Sequence, residues 1–132
     1  PCIVVDFGTS TNLDVVSDTG EFLGGALAPG IEISLDALAE RAAQLRKVEL
    51  VAPRSVIGKN TVEALQSGVI YGFAGQVDGL VERIIEETGP VTAVVATGGL
   101  SQIVVSESRT ITHHEPDLTL LGLALLFEKN QI

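Results

Sequence analysis

The sequence is short of the residues that narrow a function quickly. It has one cysteine, no methionine and no tryptophan, and aromatic residues make up 4% of it. A lone cysteine forbids an intramolecular disulfide and a cysteine-built zinc site. Basic residues are scarce: 8 Lys and Arg stand against 17 Asp and Glu, a net charge of −9. That is the wrong sign for a surface that tracks a nucleic-acid backbone. An acidic chain that takes a phosphorylated small molecule must hold it with backbone N–H groups, hydroxyls and cations. No apolar run approaches the ~18 residues that cross a bilayer, and no leader or targeting tail is legible, so the expectation is a cytoplasmic protein. With 45% hydrophobic and 19% charged residues over 132 positions, the chain predicts one packed domain, 1–132, rather than disorder. The first strand begins within a residue or two of Pro1, which reads as a domain cut from something longer.

Cys2 to Phe7 reads as a buried strand entering a tight loop. Asn12 to Ser17 predicts a second strand, Asp18-Thr19-Gly20 a hairpin turn and Glu21 to Ala28 a third strand, so the chain opens as an antiparallel meander. Beyond Pro29-Gly30, Ser34 is the expected N-cap of a helix with apolar residues at Leu35, Leu38, Ala39, Ala42 and Leu45. Val48 to Ala52 reads as a brief extended segment ended by Pro53. Asn60 with Glu63 is a capping-box signal for a long helix from Thr61 to about Glu87. Thr92 to Thr97 is a buried strand closed by Gly98-Gly99. A short helix at Leu100 to Val105, a strand at Thr110 to His113 and a helix from about Thr119 to Glu128 complete the chain. A meander followed by β-α crossovers predicts an α/β, ribonuclease-H-like mixed sheet with helices on both faces.

The segment Asp6-Phe7-Gly8-Thr9-Ser10-Thr11 carries the most chemistry. A strand delivers a carboxylate to its end, Gly8 lets the backbone approach a ligand, and Thr9, Ser10 and Thr11 offer hydroxyls and N–H groups to phosphate oxygens. Asp6 would hold a cation that offsets the phosphate charge. The bland alternative is a turn in which Asp and Thr satisfy their own backbone. Gly98 and Gly99 either let a flat ring lie on the backbone or simply make a strand-to-helix turn at positive φ. Gly58-Lys59-Asn60-Thr61 imitates the end of a phosphate-binding P-loop, but Pro53 and Asn60 stand where that motif needs glycine and a hydroxyl residue.

Other features have bland readings beside the sharp ones. Gly68, Gly72, Gly75 and Gly79 fall on one face of the long helix, for close packing within the domain or for a helix-on-helix contact between two copies. His113 and His114 point to opposite faces of a strand end, which suits structural roles rather than a shared metal. Cys2 reads as a small core residue. The last helix is apolar nearly all round, so it is either buried on two sides or waiting for a partner surface.

Asp6-Phe7-Gly8-Thr9, Gly24-Gly25 with Pro29-Gly30, Gly58-Lys59-Asn60-Thr61 with Gln66-Ser67-Gly68, and Thr97-Gly98-Gly99 together resemble, in that order, the motifs of type III pantothenate kinases. The resemblance spans the whole chain but only the C-terminal half of such an enzyme, and it is strongest to actinobacterial members. It implies one half of the acetate and sugar kinase, Hsp70 and actin fold, whose two ribonuclease-H-like halves close on ATP. The implied reaction is phosphoryl transfer from ATP to pantothenate, the first step of coenzyme A synthesis. Implied cofactors are ATP with Mg2+ and a monovalent cation, K+ or NH4+. By matching position, Asp6 is the cation residue, Thr9 contacts ATP, Gly98 and Gly99 lie on the adenosine side, and Thr61 contacts pantothenate. Implied partners are the N-terminal half-domain and a second copy in a homodimer. The family's Asp-x-Gly-Asn-Thr loop and the Gly-x-Asp-Arg segment with the catalytic base have no counterpart here, so no catalytic residue is assigned and the chain alone is expected to be inactive. Asn12 replaces a customary third threonine, Leu65 a common methionine, and Leu121 and Ala124 residues that tend to be charged. Those departures suggest redesign, and the competing expectation is an engineered or excised, self-associating scaffold half-domain without enzymatic activity.

Overall fold

Strict alternation in the opening residues builds the centre of the sheet. A computed structural model describes residues 1–41 and 48–131. Strand β1 (Cys2–Phe7) turns Ile3, Val5 and Phe7 into the core and leaves Cys2, Val4 and Asp6 half-buried on the other face. β2 (Ser10–Val16) pairs antiparallel with β1, and β3 (Phe22–Pro29) antiparallel with β2. β4 (Ala93–Thr97) and the short β5 (His113–His114) add in parallel on the other side of β1, giving the order β3-β2-β1-β4-β5. Parallel neighbours need crossovers. Helices α1 (Ile31–Arg41) and α2 (Thr61–Thr88) supply the first and α3 (Ser101–Val105) the second, while α4 (Leu118–Lys129) ends the chain.

Ile31 of α1, Val69, Val77 and Val81 of α2 and Val104 of α3 share one core with Ile3, Val5, Phe7, Leu13, Val94 and Ala96. Register puts those strand residues on one face, since Ile3 pairs with Val94 and Val5 with Ala96. The three helices therefore gather on a single face rather than on both. The physical reason is α4: its apolar residues contribute nothing buried, with Leu120, Leu123, Leu125 and Phe127 all more than half exposed. No described helix is long and apolar enough to cross a membrane.

The 28 residues of α2 make a rod of roughly 42 Å at ~1.5 Å per residue, about twice the length of β1. Its C-terminal end is fixed at the start of the sheet, where Thr92 N–H donates to the Pro1 carbonyl at 2.8 Å. Its first turns consequently overhang the opposite edge, where the segment before the helix is strapped along it. Gln66 donates to the Glu49 carbonyl (3.0 Å), Ser67 to that of Val56 and Tyr71 to that of Pro53 (3.3 Å). Val48 to Ala52 forms no strand, and within it the Glu49 carbonyl serves the Gln66 side chain and the Val51 N–H instead of a ladder. The capping signal is realised with a variation. Asn60 Oδ1 accepts from Glu63 N–H at 2.9 Å, but the Glu63 carboxylate takes Lys59 N–H (2.9 Å) and the Arg54 guanidinium (2.7 Å) instead of the cap's own N–H. The Lys59 N–H, and then Arg54, hold the Glu63 carboxyl below its usual range.

Two boundaries differ from expectation. Helix α1 starts at Ile31, three residues before Ser34, whose hydroxyl donates back to the Gly30 carbonyl at 2.8 Å from within the helix. Ala42 and Leu45, read as part of its apolar stripe, lie outside the described residues. The strand expected from Thr110 shrinks to His113–His114, because Asp78 of α2 draws residues 108–110 away from the sheet. Its carboxylate accepts from Ser108 Oγ (2.6 Å), Thr110 Oγ1 (2.6 Å), Arg109 N–H (2.9 Å) and Thr110 N–H (3.2 Å). The glycine stripe of α2 is not packed inside the domain: a Cβ at Gly68, Gly72, Gly75 or Gly79 would meet nothing within 4 Å.

Candidate functional site

Two strand ends leave the sheet side by side. β1 and β4 are parallel and Asp6 pairs with Thr97, so the Gly8–Thr9 turn and the Gly98–Gly99 turn sit together at one carboxyl edge. In open α/β sheets ligands bind outside the carboxyl ends of the strands, at the point where the strand order reverses. Leu100 N–H donates to the Phe7 carbonyl at 3.3 Å and ties the second turn to the first. The contact is closer still at Gly98, which has φ +98°. A Cβ there would come within 2.6 Å of both Asp6 Oδ1 and the Phe7 carbonyl oxygen. Sterically and conformationally, the position requires glycine.

The floor of the first turn is Gly30, buried at the end of β3. A Cβ on Gly30 would lie 2.3 Å from the Thr9 carbonyl oxygen and 2.6 Å from that of Gly8. Its own carbonyl accepts from Ser34 N–H at 3.1 Å and begins α1, so the positive end of that helix starts directly beneath the loop. Gly30 was legible only as part of the Pro29-Gly30 motif. Its role depends on the β2–β3 register, which sets Ser10 opposite Pro29.

The structure separates the loop's hydroxyls. Thr9 is exposed and makes no side-chain hydrogen bond among the described residues. Ser10 is half-buried and donates to Asn12 Oδ1 at 2.8 Å. Thr11 is fully buried on the core face and donates to the Pro29 carbonyl at 3.3 Å, so its hydroxyl is spent inside the fold. Asp6 is half-buried, its oxygens still touched by solvent, and it accepts no hydrogen bond among the described residues. An unpaired carboxylate wedged between two glycine turns has no structural task, in contrast to Asp78 with its four donors.

Beyond the second turn lies a cleft of roughly 220 Å3 lined by Thr97, Gly98, Gly99, Ser101, His114 and Thr119 among others. Thr97 is buried, with its hydroxyl 3.4 Å from the Pro116 carbonyl. Ser101 is buried too, and reaches both the Gly98 carbonyl and His114 Nε2 at 2.7 Å. Sequence reasoning gave His114 a structural role and did not single out Ser101. The signal lay in the spacing, because a serine three residues after a strand-end glycine can close that turn with its own hydroxyl. A larger groove of about 470 Å3 runs beside the glycine face of α2 and holds none of the residues singled out at the strand ends.

Thr61 is not brought into this edge. It is the exposed first residue of α2, on the overhanging end of the helix. Its neighbour Gly58 is no phosphate cradle, since a Cβ there would meet the Ala64 amide at 2.3 Å. Among the described residues no group of three His, Cys, Asp or Glu side chains could hold a metal ion. What the edge offers is one unpaired carboxylate, an exposed hydroxyl, two turns of bare backbone and a helix start. That set can bind and position a charged ligand.

A family model described as type III pantothenate kinase matches residues 1–83. A type III pantothenate kinase of Saccharopolyspora erythraea is 72% identical over 98% of this chain and 50% of its own length. That of Frankia alni is 74% identical over 98% and 52%, and that of Rhodococcus jostii 62% over 99% and 50%. The chain thus spans about half the length of the curated relatives it matches. Among solved structures, a Baf family transcriptional activator from Campylobacter jejuni matches 97% of this chain and 57% of its own at 22% identity, with a TM-score of 0.64. Component A of the (R)-2-hydroxyglutaryl-CoA dehydratase of Acidaminococcus fermentans matches 91% and 57% at 18% identity and a TM-score of 0.50. These two likenesses concern the fold, the half-unit of the acetate and sugar kinase, Hsp70 and actin class.

Proposed function

Because the chain belongs to the type III pantothenate kinase family, we propose that it forms the C-terminal, nucleotide- and substrate-binding half of an ATP-dependent pantothenate kinase, working in the cytoplasm. The observation that carries the reading is Asp6: a half-buried carboxylate with no partner among the described residues, set between the Gly8–Thr9 and Gly98–Gly99 turns. In this reading Gly8, Thr9, Ser10 and the main chain of Thr11 face the phosphates, and Gly98 with Gly99 face the adenosine. Thr61 contributes to pantothenate from the overhanging end of α2. Phosphoryl transfer is mainly positioning and charge stabilisation, and this edge supplies one side of a clamp. Alone it does not turn over, and it gains activity when the N-terminal half supplies the other side.

The residues present fit a monovalent cation better than a caged divalent one. Asp6 would hold K+ or NH4+ against the phosphates, supplying positive charge to an acidic protein. Mg2+, with no ligand cluster among the described residues, would arrive on the phosphate oxygens.

The test is calorimetric titration of ATP with and without K+. Asp6→Ala and Thr9→Ala are expected to weaken binding at least tenfold, on the order of 1.4 kcal/mol. Asp6→Ala should at the same time leave the unfolding midpoint unchanged or raise it, as removal of an unpaired carboxylate does. Unchanged affinity in both variants would remove the site assignment. A kinase assay on this chain, repeated after adding the family's N-terminal half, checks the activity.

A homodimer is supported by a separate observation, the open glycine face of α2. Gly72→Leu with Gly75→Leu places bulk where a second helix would approach, at two positions where an added Cβ meets nothing within 4 Å in the single chain. Since leucine is the better helix former by several tenths of a kcal/mol, the variant is expected to fold well and sediment as a monomer. A wild-type chain that is itself monomeric at high concentration would count against the dimer.

A further inference from the structure

We propose that His114 is a positioning residue for the Gly98–Gly99 turn, acting through Ser101 to fix the Gly98 peptide against which a nucleotide base lies. This rests on the nucleotide reading of that turn given above. Proton counting assigns the direction of the relay. Ser101 Oγ stands 2.7 Å from the Gly98 carbonyl oxygen and 2.7 Å from His114 Nε2. A carbonyl cannot donate and a serine has one hydroxyl proton. That proton goes to Gly98, and His114 must donate from Nε2. The contact thereby requires a proton on Nε2.

The relay acts on the most constrained residue of the edge. Gly98 has φ +98° and lies against Asp6 and Phe7, so a rotation of its peptide moves both the turn and the wall of the Asp6 pocket. Its carbonyl is gripped twice by Ser101, by N–H at 3.2 Å and by the hydroxyl at 2.7 Å. Ser101 is 1% exposed, so its hydroxyl has little water to turn to, and His114 fixes it from outside. His114 reaches this position because β5 runs parallel to β4, with His114 paired to Ala96. The donor therefore comes from the strand that ends the same β4–α3–β5 crossover the turn begins, and it lines the cleft on that side.

The test is ADP titration by calorimetry on the wild-type chain, His114→Ala, His114→Gln, Ser101→Ala and the His114→Ala/Ser101→Ala double variant. His114→Ala is expected to bind ADP roughly tenfold more weakly, the effect of one lost hydrogen bond at the upper end of the usual range. His114→Gln, whose side-chain N–H2 donates in place of Nε2–H, should restore most of the affinity. In the Ser101→Ala background His114→Ala should add nothing, which a purely structural histidine would not produce. Nitrogen-15 spectra of the wild-type imidazole should show the proton on Nε2. Equal ADP affinity in wild type and His114→Ala, additive losses in the double variant, or an Nε2 without a proton would overturn the relay. A wild-type chain that takes no ADP overturns the nucleotide reading and the relay together, whereas ADP binding indifferent to His114 overturns the relay alone.

Discussion

Gly98→Ala is expected to destabilise the domain by about 2–4 kcal/mol and to abolish nucleotide binding, while Gly99→Ala one residue later leaves stability within about 0.5 kcal/mol of wild type. The contrast is geometric. Gly98 has φ +98°, which L side chains rarely adopt, and its Cβ would meet the Phe7 carbonyl oxygen and carbon at 2.6 and 2.7 Å. The carboxylate of Asp6, also 2.6 Å away, can swing aside. The Phe7 backbone cannot move without breaking the β1 ladder. The turn must therefore shift away from the strand end, taking with it the Leu100–Phe7 bond and the wall of the Asp6 pocket. At Gly99 nothing lies within 4 Å and φ is not positive. Thermal unfolding should fall by on the order of 10 °C in Gly98→Ala. A Gly98→Ala chain that melts and binds ADP like wild type would show that the two turns are not in fact packed against one another.

Most of the fold could be read from local pattern, since alternation and caps are local signals. β1 stands as read at Cys2–Phe7, α2 was read to within a residue at its end, and Asn60 caps it as its spacing predicts. What could not be read was set by distant partners. Thr110 carries a β-branched, strand-favouring side chain, yet it is held by Asp78, some thirty residues earlier, and no window around Thr110 contains that carboxylate. The start of α1 depends on Gly30 being buried beneath the Gly8–Thr9 loop. Apolar character on all sides of α4 indicated surface in need of cover without saying where the cover lies, so the expectation of helices on both faces outran the pattern.

The site was legible in kind more than in geometry. Asp6, Gly8, Thr9 and Gly98 were singled out as residue types at strand ends, and the Asp6–Thr97 register brings them together. The hydroxyl run looked like three equivalent donors. Alternation along β2, however, sends Thr11 into the core and Ser10 to the other face, while Thr9 lies in the bend before the strand and stays outside. The Ser101–His114 contact was out of reach of sequence, because it needs the parallel pairing of β5 to put His114 on the Ala96 side.

Asp78→Asn is expected to cost about 2–4 kcal/mol at neutral pH, because an amide can satisfy at most part of a nest built from two hydroxyls and two N–H groups, and it turns its own donors toward them. Burial pushes the Asp78 carboxyl up, but the hydrogen bonds from Ser108 and Thr110 and the N–H groups of Arg109 and Thr110 outweigh it and hold the group below the usual aspartate range. The sign of the pH dependence follows. A carboxyl whose folded pKa is depressed stabilises the fold above its unfolded value of about 3.9 and loses that contribution as pH falls through the folded value. Denaturant midpoints of the wild type should therefore hold steady from pH 7 to about 5 and decline below about 4. The Asp78→Asn curve should start lower and decline less, with Glu63 supplying part of the slope that remains. The loss should reach the ligand edge as well. Residues 108–110 lead directly into Thr112, whose N–H bonds the Val94 carbonyl at 2.9 Å, and into His113–His114. Loosening the nest frees the strand that carries His114, so ADP affinity should fall together with stability in Asp78→Asn. An Asp78→Asn variant as stable as wild type at pH 7, or one with an unaltered acid limb, would mean that the nest is not what anchors β5.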